Sequence, residues 1–251
     1  MEKLKIKKTH LRTFSTIIDT YYRDTKFPKP GRWKNLSNTE IWFWMVGQVM
    51  VVGSSGGGKR FWQSPQLQSQ INYDLLVSKS DELVRNTINS VLLDAGARFA
   101  STDINKCEKT KALLHNYKFV KELKNGFKEL LEMLESFEGN SQELDRVYYL
   151  MEHLVFFKNK SARDFLMNMG MNQNTLAIDV RIQNIFHHFK IPFPEQKYFA
   201  NNGIYEAMEQ EIITKICQPL KISPLYFDRI LYQHYYKIMK DDYLQLRLNF
   251  R

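Results

Sequence analysis

This chain of 251 residues has little of several things. It has two cysteines, Cys107 and Cys217, far apart in sequence. That leaves no zinc or iron–sulfur spacing and no disulfide framework to expect. The N-terminus, MEKLKIKKTH, carries no apolar signal core. The longest near-apolar run, Ile41–Gly53, is 13 residues, too short to span a bilayer. Alternating period-2 stretches are scarce, and no internal repeat stands out. Glycine is rich in one tract only, GSSGGGKR at residues 53–60. These absences lead us to expect a soluble cytoplasmic protein without a membrane partner; separately, we take it as a monomer, nucleoid-associated if prokaryotic.

What the chain has is apolar mass and positive charge. Hydrophobic residues make up 43% and aromatics 14%, which suits a globular fold with a sizeable core. The net charge is +9. Residues 1–60 hold 12 Lys/Arg against 4 Asp/Glu, so nearly all the excess lies there. Such lopsidedness points to a polyanionic partner, with nucleic acid ahead of anionic membrane, although a merely solvated basic face would also produce it.

The periodicity is helical nearly throughout. Ser37-Asn-Thr-Glu40 forms a capping box and opens a helix to about Val52. Apolar spacing predicts further helices over residues 81–95, 117–138, 142–157 and 160–169, the last stopping at Gly170. Asp179 caps another helix, which Pro192 and Pro194 end. Two more cover about 202–217 and 224–240. The fold class expected is all-α.

The GSSGGGKR tract approaches a phosphate-binding P-loop. Arg60, however, stands where the magnesium-binding hydroxyl belongs, and a P-loop needs a strand before it. A mobile glycine loop in which Ser54, Ser55, Lys59 and Arg60 meet a phosphate backbone is the functional alternative. An ordinary turn between helices is the structural one.

Chemistry concentrates at residues 154–182. Lys160 opens a helix whose Ala162, Phe165, Leu166 and Met169 form a core stripe. The positive helix end disfavours its charged amine. Asp179 follows at the next N-cap. A desolvated lysine attacks an electrophilic carbon to form a Schiff base, and a carboxylate stabilises a developing sugar cation. Taken singly, each has a plain structural reading as a solvated lysine and a cap.

The run Lys158-Asn159-Lys160-Ser161-Ala162, then Phe165-Leu166, Gly170 and Ile178-Asp179-Val180-Arg181-Ile182, resembles the helix-hairpin-helix DNA glycosylases. The likeness is closest to the compact archaeal-type 8-oxoguanine DNA glycosylase/AP lyases. Ser223-Pro224 through Asp228 and Tyr232 resembles that family's closing helix, and the Trp42 helix with its following loop resembles an early one. Phe156 and Lys158 stand at the two hairpin glycine positions, Arg181 where the family has His, and Tyr232 where the compact branch tends to have Trp.

The resemblance implies two helical subdomains with a cleft between them. We expect residues 1–60 and 184–251 to form one and 61–183 the other, with the helix-hairpin-helix motif at about 142–169. It implies base flipping from double-stranded DNA, excision of a damaged base of the 8-oxoguanine type, and β-elimination. Lys160 would be the nucleophile and Asp179 the assisting carboxylate, with no metal or cofactor. Lys158 and Arg181 would hold phosphates. Gln48 would probe the lesion, and Asp164, on the Lys160 face, would line the pocket or pair with a basic neighbour. Tyr232 would stack on the base or pack in the core. The alternatives are a non-catalytic DNA-binding protein of this fold and a glycosylase for another base.

Overall fold

The computed structural model describes residues 4–240. Among these the chain is all-α, with no strand. In order come α1 (Lys8–Tyr21), α2 (Asn38–Met50), α3 (Ser55–Gln63), α4 (Pro65–Gln70), α5 (Tyr73–Leu76), α6 (Asp81–Asp94) and α7 (Glu108–Lys121). Then follow α8 (Phe127–Glu135), α9 (Gln142–His153), α10 (Asn159–Met169), α11 (Val180–His188), α12 (Asn202–Ile212) and α13 (Pro224–Lys240). None is long and apolar enough to cross a membrane.

The chain divides into two compact units. The inner unit is Pro30–Met171, holding α2 to α10. The terminal unit takes the chain up to Lys29 and from Asn172 onward, holding α1 and α11 to α13. Both chain ends do fall in one unit, but the boundaries differ from 1–60/184–251 and 61–183. The cause is where the apolar faces pack. Trp42, Met45, Val46 and Val49 of α2 belong to the inner core. Leu176, Ile178 and Ile182 belong to the terminal core.

In the inner unit Trp42 is fully buried, its indole Nε1 donating to the Ile71 carbonyl at 2.9 Å. Its ring meets those of Tyr117 and Phe127, which in turn meet or flank Tyr73. Burial of each such ring contributes on the order of 2 kcal/mol. In the terminal unit Phe14 of α1 packs against Phe186 of α11 and Phe227 of α13. This contact brings the first helix onto the last, and Thr25 reinforces it with a hydrogen bond to His234 at 3.1 Å.

Two expectations need correction. The single helix over 117–138 is two, α7 and α8, separated at Gly126, whose φ of +59° breaks the helical path. The apolar periodicity runs through the break because both helices face the same core. The glycine tract is neither loop nor turn: Ser54 caps α3, its hydroxyl accepting from the Gly56 amide, and Gly56 to Arg60 are helical.

Other boundaries fall near expectation. Ser37 and Glu40 form the reciprocal box at the start of α2. Gly170, at φ +73°, ends α10. The helix expected over 142–157 ends at His153, and 154–158 form the hairpin turn to α10.

Candidate active site

Lys160 is the second residue of α10. Its Nζ lies 2.7 Å from Asp164 Oδ2, one turn later, with side-chain exposures of 26% and 9%. The same Oδ2 accepts from Gln48 Nε2 of α2 at 3.0 Å. Asn168 Nδ2 donates to Asp164 Oδ1 at 3.1 Å. Thus three residues expected on separate grounds, Gln48, Asp164 and Lys160, form one hydrogen-bonded network within the inner unit. Because an ionised carboxylate only accepts, Gln48 must present its NH₂ to Asp164. That orients Gln48 Oε1, which is buried and has no hydrogen-bond partner in the structure. A buried acceptor without a donor costs roughly 1–3 kcal/mol, so this atom is prepared for a ligand N–H or O–H.

The hairpin turn ahead of Lys160 keeps an unusual conformation. Phe156 has φ +67°, which is unfavourable for a bulky side chain by about 1–2 kcal/mol. Its neighbours impose it. Buried Asn116 of α7 accepts from Val155 N at 2.8 Å and donates to Val155 O at 3.1 Å. Ser161 Oγ accepts from Lys158 N at 2.8 Å and lies 3.1 Å from Phe156 O. The turn that a glycine would form freely is held here by two side chains. Lys158 is the N-cap residue of α10 and its side chain is exposed.

Lys59, Ser54 and Ser55 are exposed at or near the start of α3. Arg60 is already engaged: its guanidinium donates to Ala95 O and, at 2.9 Å, to Gly96 O, covering the end of α6. Beside Ser54 lies a pair that the sequence did not single out. Arg98 Nη1 donates to Gly53 O at 2.8 Å and its guanidinium stacks on Phe99. Phe99 has φ +65° and is 64% exposed. No local pattern marks the pair, since Arg98 reaches a carbonyl 45 residues away.

In the terminal unit Asp179 is half-buried and caps α11. Its Oδ1 accepts from Arg181 N at 2.8 Å and Ile182 N at 3.4 Å. The arginine expected to hold a phosphate, Arg181, has its guanidinium 4.2 Å above the Tyr232 ring. Arg229 lies 5.4 Å from the same ring. Tyr232 is 42% exposed, which overturns core packing: Ile230 and Leu231 take the core positions of α13, and Tyr232 faces away from them. His187 and His188 close α11, with His187 Nε2 3.0 Å from Phe193 O. Among the described residues no group of three or more His, Cys, Asp or Glu could hold a metal ion. A hollow of about 610 Å³ in the inner unit, lined by Asn38, Tyr73, Lys121 and Lys128, includes none of these candidates.

No protein-family model and no curated protein sequence matches the chain. Solved structures do. The 8-oxoguanine DNA glycosylase of Methanocaldococcus jannaschii matches with a TM-score of 0.58 at 17% identity, over 88% of this chain and 91% of that one. The same organism's 8-oxoguanine glycosylase/lyase in complex with a 15mer DNA containing 8-oxoguanine matches at 0.60 and 18%, over 92% and 99%. The 8-oxoguanine DNA glycosylase of Thermotoga maritima matches at 0.58 and 18%, over 88% and 93%. The chain shares the 8-oxoguanine DNA glycosylase fold. Within that fold, the Lys160 network belongs to the inner unit and the Asp179 cap to the terminal one.

Proposed function

We propose that the chain is a DNA glycosylase with an associated AP-lyase step, acting on double-stranded DNA that carries a damaged base. The Gln48–Asp164–Lys160 network carries this reading. It puts an amine, a carboxylate to take its proton, and a buried unused acceptor side by side. A structural ion pair has no need of the third. Lys160 gives a proton to Asp164 and its Nζ attacks C1′ of the damaged nucleoside, while the base departs with the bonding electrons of its glycosidic bond and takes up the proton held by Asp164. Asp179 stabilises the positive charge that develops on the sugar. The covalent adduct opens to a Schiff base, loses a C2′ proton, and expels the 3′ phosphate.

The unused Gln48 Oε1 favours a base with an N–H donor on its pairing edge. Every base offers such a donor, 8-oxoguanine among them, and we take 8-oxoguanine-type purines as the substrate because the solved structures that share the fold are 8-oxoguanine glycosylases. Lys59, Lys158 and Arg181, together with the chain's excess of basic residues, supply cationic contacts to the backbone. Phe99, exposed on a constrained backbone beside Ser54 and Ser55, is of the type that enters a base stack when a nucleotide leaves it.

A second reading, a non-catalytic DNA-binding protein, draws on Phe156 at a hairpin glycine position. Incubation with duplexes containing 8-oxoguanine, uracil or an abasic site in the presence of borohydride separates the two. An enzyme of the first kind becomes covalently linked to DNA, and the Lys160→Gln variant does not. DNA binding without any adduct would reject the lyase.

A further inference from the structure

The segment leading into Asp179 has no helix of its own and no strand beside it. Buried backbone amides in such a segment need partners from elsewhere. Here three consecutive ones receive them from three buried side chains. Leu176 N donates to Glu209 Oε1 at 2.6 Å, Ala177 N to Asp228 Oδ2 at 2.8 Å, and Ile178 N to the Tyr205 hydroxyl at 2.7 Å. Glu209, Asp228 and Tyr205 are 4%, 2% and 1% exposed.

The arrangement follows the geometry of an extended chain, whose successive residues face opposite ways. Leu176 and Ile178 turn to α12, where Tyr205 and Glu209 are four residues apart and so share one face. Ala177 turns to α13. The two helices do the work of flanking strands. Tyr205 uses its hydroxyl twice, accepting from Ile178 N and donating to Leu176 O at 2.9 Å. Arg229 Nη2 lies 2.8 Å from Asp228 Oδ1, leaving Oδ2 on the Ala177 amide. Hydrogen bonds to carboxylates are short and strong, and here they stop one residue before Asp179.

We propose that Tyr205, Glu209 and Asp228 are positioning residues, fixing the backbone from which the Asp179 carboxylate projects. This rests on the catalytic reading of Asp179. Asp179's own bonds, to Arg181 and Ile182, orient its side chain relative to α11. The three-point brace fixes where that helix start stands relative to the core of its unit. A reacting carboxylate tolerates little displacement, since about 1 Å can cost a hundredfold in rate.

The test is single-turnover excision of 8-oxoguanine from a duplex by wild type, Asp179→Asn, Tyr205→Phe and the double variant. Tyr205→Phe keeps the ring and removes the hydroxyl. We expect about a tenfold fall in excision rate, unchanged affinity for the duplex, and faster amide exchange at Leu176 and Ile178. In the Asp179→Asn background Tyr205→Phe should add nothing, because the group it positions is gone. Glu209→Gln, whose amide oxygen still accepts from Leu176, should retain the wild-type rate while Glu209→Leu loses it. If Tyr205→Phe does not fold, the Glu209 pair decides alone. Equal losses in both backgrounds, or equal rates for Glu209→Gln and Glu209→Leu, would overturn the positioning role and leave the glycosylase reading standing. A wild-type rate in Asp179→Asn would overturn the catalytic role of Asp179 and the positioning role with it, and a wild-type protein that binds the duplex without excising 8-oxoguanine would overturn the glycosylase reading itself.

Discussion

Lys109 and Lys160 are each the second residue of a helix, in α7 and α10, and both reach toward α2, yet they are held in opposite ways. Lys109 is 1% exposed. Its Nζ donates to the Met50 and Val52 carbonyls at 2.9 and 2.8 Å, where α2 ends. Burial lowers its pKa from the ordinary 10.5 to about 8. Lys160 is partly open and bonds to a carboxylate that also holds Gln48, in the body of α2. A lowered pKa alone would nominate Lys109 as the nucleophile. Geometry assigns it instead to capping unsatisfied carbonyls, and leaves Lys160, beside Asp164 and Gln48, as the nucleophile we propose. For a lysine, the partner says more than the burial.

The largest expected effect tests that contrast directly. Borohydride trapping on 8-oxoguanine or abasic duplex should be abolished in Lys160→Gln and persist in Lys109→Met. An adduct lost in Lys109→Met, with the protein folded by circular dichroism, would break the comparison.

Next in size is Gln48. Gln48→Met keeps the volume but removes the unused Oε1 acceptor. Excision of 8-oxoguanine should fall about 10- to 100-fold, the worth of a hydrogen bond missing at a polar site. Nicking of an abasic duplex, which has no base to read, should stay near wild type. Parallel losses on the two substrates would mean that Gln48 serves only to hold Asp164.

How much of this was legible in sequence depended on how local the determinant is. Ser37 with Glu40, Gly170 and Asp179 declare helix ends through bonds within a few residues, and all three stand in place. Asp164 faces Lys160 because four residues make one turn. The rest needed the tertiary structure. Nothing local marks Lys109, whose acceptors lie more than 50 residues away. The helix α1 starts with Lys7 at its cap and no acidic residue in its first turn, so its start is not announced, and the helical spacing of Phe14, Ile17 and Tyr21 is the signal that could have placed it. Phe156 stands at a hairpin glycine position, and the turn there depends on Asn116, 39 residues from Val155, as well as on the nearby Ser161.

The alkaline range offers a smaller and slower-varying signal. Lys109 holds its proton up to about pH 8 when folded and to about 10.5 when unfolded. Between these the unfolded state binds the extra proton, so stability rises with pH. Below pH 8 the buried charge is present in both states and no slope remains. Urea titrations from pH 7.5 to 9.5 should show a rise of about 2 kcal/mol, absent in Lys109→Met. The window stops short of Tyr73 and Tyr117. Burial raises both to about 12 from the ordinary 10, so they lower stability above pH 10. An equal slope in the variant would show that the ammonium is not the group titrating.

The smallest effects concern how α2, which both lysines reach, sits against its neighbour α3. The glycines expected to keep this tract loose lie in a helix because they let other elements approach. A Cβ at Gly57 would lie 2.7 Å from the Ala97 backbone, and at Gly58 2.5 Å from the Val51 side chain of the α2 terminus. At Gly56 the nearest atom would be Ser54 Oγ at 3.7 Å, an ordinary contact. Gly56→Ala should therefore stabilise by up to about 1 kcal/mol, through helix propensity alone. Gly57→Ala should destabilise by about 1–2 kcal/mol, the overpacking cost exceeding the same propensity gain. Opposite shifts in urea midpoint would establish that the tract is a packing device. Equal stabilisation by both would mean that the close approach to Ala97 is not there, leaving the tract a helix but not a packing device.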